Sequence, residues 1–131
     1  MSDDKKNIMV VEDEESVRDM VAKMLSARGY GVEVANDGLD GLRKIDQSKP
    51  DLLIADVMMP NLDGLTLVKA LKEHKDTKNI PVIFLTAKGD ARSMIEGINV
   101  GAKFYVTKPF QMDDLLAKVG KLLGEKGRRL S

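Results

Sequence analysis

Asp56 closes the run Leu52-Leu53-Ile54-Ala55-Asp56, whose other members are all apolar. A continuous apolar run with a turn signal after it reads as a central parallel strand, buried on both faces. Asp is disfavoured in strands and costly to bury unpaired. An Asp at this place is therefore a turn or helix-cap residue, or else a nucleophile or metal ligand where the strand ends. Glu12 and Asp13 come directly after a second apolar run, Asn7 to Val11. Thr86 comes after a third, Ile80 to Leu85, and Lys108 stands shortly after a fourth, Phe104 to Val106. Taken singly, each has a plain reading. Acidic residues after a strand often just complement a helix N-terminus. A lone Thr is a cap or turn residue, and a lone Lys is a solvated one.

The elements between these residues decide whether they meet. Val17, Met20, Val21, Met24 and Leu25 recur at helical spacing and stop near Arg28-Gly29. Gly31 to Ala35 alternates like a strand and ends in the turn residues Asn36-Asp37-Gly38. Leu39, Leu42 and Ile45 predict a second helix, closed by Pro50, and the Asp56 strand comes next. Beyond Met58-Met59-Pro60-Asn61-Leu62-Asp63-Gly64, a third helix turns Leu67, Val68 and Leu71 inward. The strand from Ile80 has Pro81 near its start, where a missing donor is tolerated. A fourth helix carries Met94, Ile95 and Ile98 and stops at Gly101. A fifth places Leu115, Leu116, Val119, Leu122 and Leu123 on its apolar side.

Five strand-then-helix units in strict alternation predict one α/β domain, with a parallel sheet and helices on both faces. Barrel closure would need about eight such units. In a doubly wound sheet, ligands bind at the carboxyl ends of the strands. Glu12, Asp13, Asp56, Thr86 and Lys108 all fall on that edge, and this common location favours chemistry over the plain readings. Clustered carboxylates repel by about 4 kcal/mol per pair at ~4 Å and an effective dielectric near 20. An oxygen-only donor set suits a hard cation, with Mg²⁺ the natural occupant because it takes few protein ligands and completes its shell with phosphate and water. A lysine beside it pairs with phosphate. Asp56 is then placed as an acceptor nucleophile that forms an aspartyl phosphate.

Composition narrows the field. The chain has 131 residues, enough for one cored domain, with 43% hydrophobic and 32% charged residues. Lys plus Arg and Asp plus Glu both number 21, so the balance gives no support to nucleic-acid or membrane binding. Absence of Cys and a single His exclude thiolate chemistry and a multi-His metal site. No apolar run nears the ~20 residues of a membrane span. The N-terminus lacks the apolar core of a secretory signal, which makes a cytoplasmic protein the expectation.

Four motifs resemble one family. Val10-Val11-Glu12-Asp13-Glu14, Asp56-Val57-Met58-Met59-Pro60-Asn61-Leu62-Asp63-Gly64, Leu85-Thr86-Ala87 and Tyr105-Val106-Thr107-Lys108-Pro109-Phe110 resemble the CheY-like receiver domains of two-component response regulators. The match covers about residues 7 to 123. It implies a single flavodoxin-like (βα)5 domain over residues 1–124, with sheet order 2-1-3-4-5, and a basic tail or linker start over 125–131. By resemblance, a sensor histidine kinase or phosphotransfer protein gives its phosphoryl group to Asp56. Asp13 binds Mg²⁺ directly, Glu12 assists it, and Met58 contributes its backbone carbonyl. Lys108 contacts the phosphoryl oxygens, and the Lys108-Pro109 bond is cis. Thr86 swings toward the phosphate, and Tyr105 turns into the space it leaves. The output face for a downstream partner is then the fourth helix, fifth strand and fifth helix, around Met94, Ile98, Lys103, Tyr105 and Lys108.

The resulting expectation is a signalling switch, not an enzyme beyond its own phosphorylation and dephosphorylation, with no separate output domain in this chain. One alternative is a phosphohydrolase with an aspartyl nucleophile. That class usually carries a second Asp two residues on, where this chain has Met58. Another is a receiver-like interaction module that works without phosphorylation. A flavodoxin-like cofactor module would need a Ser/Thr/Gly-rich loop where Glu12-Asp13-Glu14-Glu15 stands. His74, at the polar end of the third helix, reads as solvated. Lys88 and Met58 flank the site and bear on phosphate lifetime.

Overall fold

A computed structural model describes residues 5–59, 61–87 and 91–124. Lys88, Pro60 and the tail from residue 125 lie outside the described residues. The element order is β1 (Asn7–Val11), α1 (Glu15–Ala27), β2 (Gly31–Ala35), α2 (Gly38–Gln47), β3 (Leu52–Asp56), α3 (Gly64–Lys72), β4 (Val82–Ala87), α4 (Ala91–Asn99), β5 (Phe104–Lys108) and α5 (Met112–Leu123). The sheet order is β2-β1-β3-β4-β5, and every pairing is parallel. This is the doubly wound flavodoxin-like fold.

Side-chain period two sorts each strand between two cores. Ile8, Val10, Leu52, Ile54, Ile83, Leu85 and Val106 face α1 and α5, where Val21, Leu25, Leu115 and Val119 meet them. Met9, Val11, Leu53, Ala55, Val82 and Phe84 face the opposite layer, against Ile45 of α2 and Leu67, Val68 and Leu71 of α3. The four apolar residues of β3 are wholly buried, as a central parallel strand demands. Burying each large one contributes roughly 1.5–3 kcal/mol.

Strand limits differ from those expected. β4 begins at Val82, not Ile80, because Pro81 precedes the strand and joins it only by its carbonyl, which accepts from Leu53 N at 3.0 Å. At the other end, β4 and β5 extend each other. Thr86 pairs with Thr107 and Ala87 with Lys108, so the two strands run on past Leu85 and Val106 and carry Thr86 and Lys108 within them. Helical spacing also overstates the buried stripe. Met20, Met24 and Leu39 share the apolar spacing but lie 43%, 37% and 59% exposed. The sheet covers a narrower face of α1 and α2 than the apolar pattern suggests.

Candidate functional site at the carboxyl edge of the sheet

Each strand end delivers one part. Register places Asp56 opposite Leu85 and Lys108 opposite Ala87, while β1 runs beside β3. The carboxylates of Glu12, Asp13 and Asp56 each offer one oxygen, and these lie within 4.8 Å of one another. Lys108 Nζ sits 2.9 Å from Asp56 Oδ2, 3.0 Å from Glu12 Oε1 and 3.7 Å from Glu14 Oε1. The contact with Asp56 is a hydrogen bond. That with Glu12 is an ion pair without hydrogen-bond alignment, which leaves the buried Oε1 short of a donor. Glu12 Oε2 accepts from Glu14 N at 3.0 Å.

The two Asp56 oxygens have different holders. Oδ1 accepts from Met58 N at 3.1 Å, and Oδ2 takes Lys108. Asp56 is 7% exposed, so the carboxylate stands at the floor of the edge. Met58 thus engages Asp56 through its amide, while its side chain lies 62% exposed. Behind Asp56 the chain doubles back tightly. Gly64 N donates to Val57 O at 2.9 Å. A Cβ on Gly64 would strike the Asp56 carbonyl oxygen and stand 3.1 Å from Val57 Cα. Only glycine leaves room for that closure. The Lys108-Pro109 bond is cis.

Among the described residues, one ammonium faces three carboxylates and a fourth close by, so negative charge is in excess there. Burial drives the Glu12 carboxyl up from 4.5 to about 7, and the neighbouring Asp56 adds to the rise, against the pull of the Glu14 amide and Lys108. Burial pushes the Lys108 ammonium down, but the neighbouring carboxylates of Asp56 and Glu12 outweigh this and hold it above the ordinary lysine value. An orphaned buried oxygen among hard carboxylate donors fits a divalent cation of the Mg²⁺ type, which Glu12, Asp13 and Asp56 would hold.

This raised carboxyl makes stability depend on pH. Folded Glu12 keeps a proton that the unfolded chain surrenders between pH 4.5 and 7. Its contribution to stability is therefore greatest below 4.5 and falls as pH climbs to about 7. Without divalent ion, Tm is expected to decline across that window, and Glu12→Gln should flatten the decline. Added Mg²⁺ should raise Tm more well above that window than within it. A metal-induced gain that is equal in both would place the ion away from Glu12.

A second group of polar atoms lies one strand over. Thr86 is 1% exposed, and its hydroxyl has no hydrogen-bond partner among the described residues. The Tyr105 hydroxyl is likewise buried and unpartnered. Tyr105 packs on Phe84, with ring centroids 5.9 Å apart at 34°. Its phenol already lies inward, and burial raises it to about 12. On the outer side, Ile95 and Ile98 of α4 are 60% and 59% exposed.

Several participants carry no mark in the sequence. Glu14 supplies both an amide to Glu12 and a carboxylate near Lys108. Arg18 Nη1 donates to Glu12 O at 2.9 Å and so pins the acidic turn to α1. Asp37, by its neighbours plain turn chemistry, caps α2 through Asp40 N at 2.8 Å and accepts from Asn61 Nδ2 at 2.7 Å. Asn61 has φ +71°, in the left-handed region that Asn tolerates. That pair ties the loop after Asp56 to α2.

Comparison with known proteins gives one consistent result. The family described as response regulator receiver domain matches residues 8–120. Response regulator MprA of Mycobacterium leprae is 40% identical over 116 residues, covering 88% of this chain and 50% of that protein. The chain thus spans about half the length of the curated relatives it matches. The receiver domain of Francisella response regulator 1452 superimposes with a TM-score of 0.84 at 32% identity, covering 92% of this chain and 98% of that one. Chemotaxis protein CheY4 of Vibrio cholerae gives 0.84 at 34% identity, covering 90% and 98%.

Proposed function

Because the chain belongs to the response regulator receiver domain family of two-component signalling, we propose that it is a phosphorylation-controlled switch with Asp56 as acceptor. The observation that carries this reading is the convergence of Glu12, Asp13, Asp56 and Lys108 on one sheet edge. The donor is a phosphohistidine of a sensor kinase or phosphotransfer protein. An Asp56 carboxylate oxygen attacks phosphorus, the P–N bond breaks, and the imidazole nitrogen leaves with the electron pair and is protonated by solvent. Bound Mg²⁺ would neutralise charge on the transferring oxygens. Lys108 exchanges part of its pairing with Asp56 for the incoming phosphoryl oxygens. The Met58 amide holds the second Asp56 oxygen in place, and the Met58 carbonyl lies in the segment from which a further metal ligand would come.

The product carries about −2 charge and three strong acceptors. Thr86 Oγ1, which lacks a partner among the described residues, is a waiting donor on β4. Charge-assisted hydrogen bonds contribute roughly 1.5–3 kcal/mol each. Two of them, from Thr86 and Lys108, approach the ~5.5 kcal/mol that takes a two-state equilibrium from 1:99 to 99:1. The output surface is α4, β5 and α5, where Ile95 and Ile98 are exposed. Exposed apolar side chains on that surface favour a protein partner over nucleic acid.

Incubation with acetyl phosphate tests the reading. We expect one phosphoryl adduct by intact mass, on Asp56 by borohydride mapping, and its loss when EDTA removes divalent ions. Steady release of phosphate from a phosphomonoester, with many turnovers per chain, would instead make the site a hydrolase. For Thr86→Val, stability should stay level or rise by about 1 kcal/mol, since the hydroxyl removed has no partner to lose. That variant should take the phosphoryl group normally but show no change at α4 on amide hydrogen exchange. A native-like response would remove Thr86 from the switch.

A further inference from the structure

Gly97 stands inside α4, where glycine is the least favourable residue after proline. Its backbone does not need glycine, for it has no left-handed φ. What it meets is a ring. A Cβ there would overlap the Tyr105 hydroxyl and stand 2.6 Å from Tyr105 Cζ and 2.9 Å from Phe84 Cδ2. Gly41, by contrast, would press only on Val11 methyls and, more loosely, on Leu67. The Tyr105 ring therefore fills the place that a side chain on α4 would otherwise take.

Parallel register puts Tyr105 opposite Phe84 and Thr107 opposite Thr86. Phe84, Thr86 and Tyr105 thus share the sheet face beneath α4. The phenol gains no hydrogen bond for its burial among the described residues, and neither does Thr86. Packing retains the ring, against Phe84 and in the space left by the missing side chain of residue 97.

We infer that Gly97 is a positioning residue for Tyr105: the bare backbone of α4 at this point admits the ring beneath the helix and so couples the place of α4 to the Thr86 side of the site. The signalling consequence rests on the phosphorylation reading above, whereas the docking of the ring does not. With alanine at 97, Tyr105 is held outward, and phosphorylation of Asp56 no longer alters the ring's surroundings.

The test reads Tyr105 directly. The chain has two tyrosines and no tryptophan, and Tyr30 is buried, so acrylamide quenching of tyrosine fluorescence reports Tyr105 once a Tyr105→Phe control supplies the share of Tyr30. Gly97→Ala should raise the Tyr105 quenching constant to that of an exposed phenol. Its Tm should fall or stay level, although alanine is the better helix former. In a Tyr105→Ala background the same substitution should shift Tm upward by a few degrees relative to its effect in the native background, because only the approach to Phe84 then opposes the propensity gain. Should Gly97→Ala fail to fold while Gly97→Ala/Tyr105→Ala folds, the coupling is also demonstrated. The inference is overturned if quenching stays at the native level, if Gly97→Ala shifts Tm equally in both backgrounds, or if the double variant too fails to fold. Acetyl phosphate with Mg²⁺ separates this from the reading beneath it. A labelled chain with a native quenching response in Gly97→Ala removes the socket only. An unlabelled chain with the expected quenching shift removes the phosphorylation and leaves the socket.

Discussion

Asp56→Asn is expected to lose phosphorylation by acetyl phosphate by a factor of order 10⁴ or more, the scale on which enzymes lose activity when a nucleophile is removed, while the chain stays folded. The fold should survive because opposing electrostatic changes nearly cancel. The carboxylate attracts Lys108 at 2.9 Å, about 6 kcal/mol at an effective dielectric of 20. It also repels Glu12 and Asp13, whose oxygens lie within 4.8 Å, by about 3–4 kcal/mol each on the same footing. Asn keeps an oxygen for the Met58 amide. Stability should therefore move by no more than about 2 kcal/mol, and Mg²⁺ should raise Tm less than in the native chain. Intact mass and a melting curve on one sample decide it. An adduct of native yield on the Asn variant would place the acceptor elsewhere.

Lys108→Met should be the most destabilising change at the site. Methionine replaces the aliphatic stem but removes the ammonium that, among the described residues, Glu12, Glu14 and Asp56 share. Breaking a buried pair from one side costs about 3–5 kcal/mol. Lys108 keeps 22% of its side chain in water, so roughly 2–3 kcal/mol is the expected loss, or about 10 °C in Tm. The loss should grow with pH. Without the ammonium, Glu12 holds its proton to still higher pH when folded, so the penalty for ionising it is larger above about pH 7 than below it. Excess Mg²⁺ should recover much of the deficit by supplying the missing positive charge. A variant that melts as the native chain does at every pH, with and without Mg²⁺, would reduce Lys108 to a solvated surface charge.

Much of the site is legible in the chain because strand ends are marked twice, by an apolar run and by the polar residue that closes it. Asp56 after Leu52–Ala55 and Glu12 after Ile8–Val11 are of this kind, and parallel topology then brings such ends together. Other features carry no such mark. Met24 and Leu25 look alike in sequence, yet one lies 37% exposed and the other is wholly buried, since periodicity fixes a helix face to no better than its width. Glu14 reads as one more acid in a turn; its contact with Lys108 depends on how the turn leaves β1. The link from Asp37 to Asn61 spans 24 positions, and neither residue announces the other. Gly97 does leave a sign: a glycine in a helix interior with no cap to make usually answers to a neighbour's bulk.

The ladder between β4 and β5 has a consequence for which changes of length the chain can absorb. Lys108 is paired through its backbone with Ala87, and every step from Ile83–Phe104 onward is in register. Inserting or deleting one residue between Phe104 and Lys108 would turn each later side chain to the opposite face of the sheet, swinging the ammonium away from Glu12 and Asp56 while aiming a threonine or proline at them. The same edit between Glu73 and Asn79, at the far rim, would alter no pairing of β4 with β5. Natural variation in length should therefore gather at that rim and be purged from the five positions that end in the lysine.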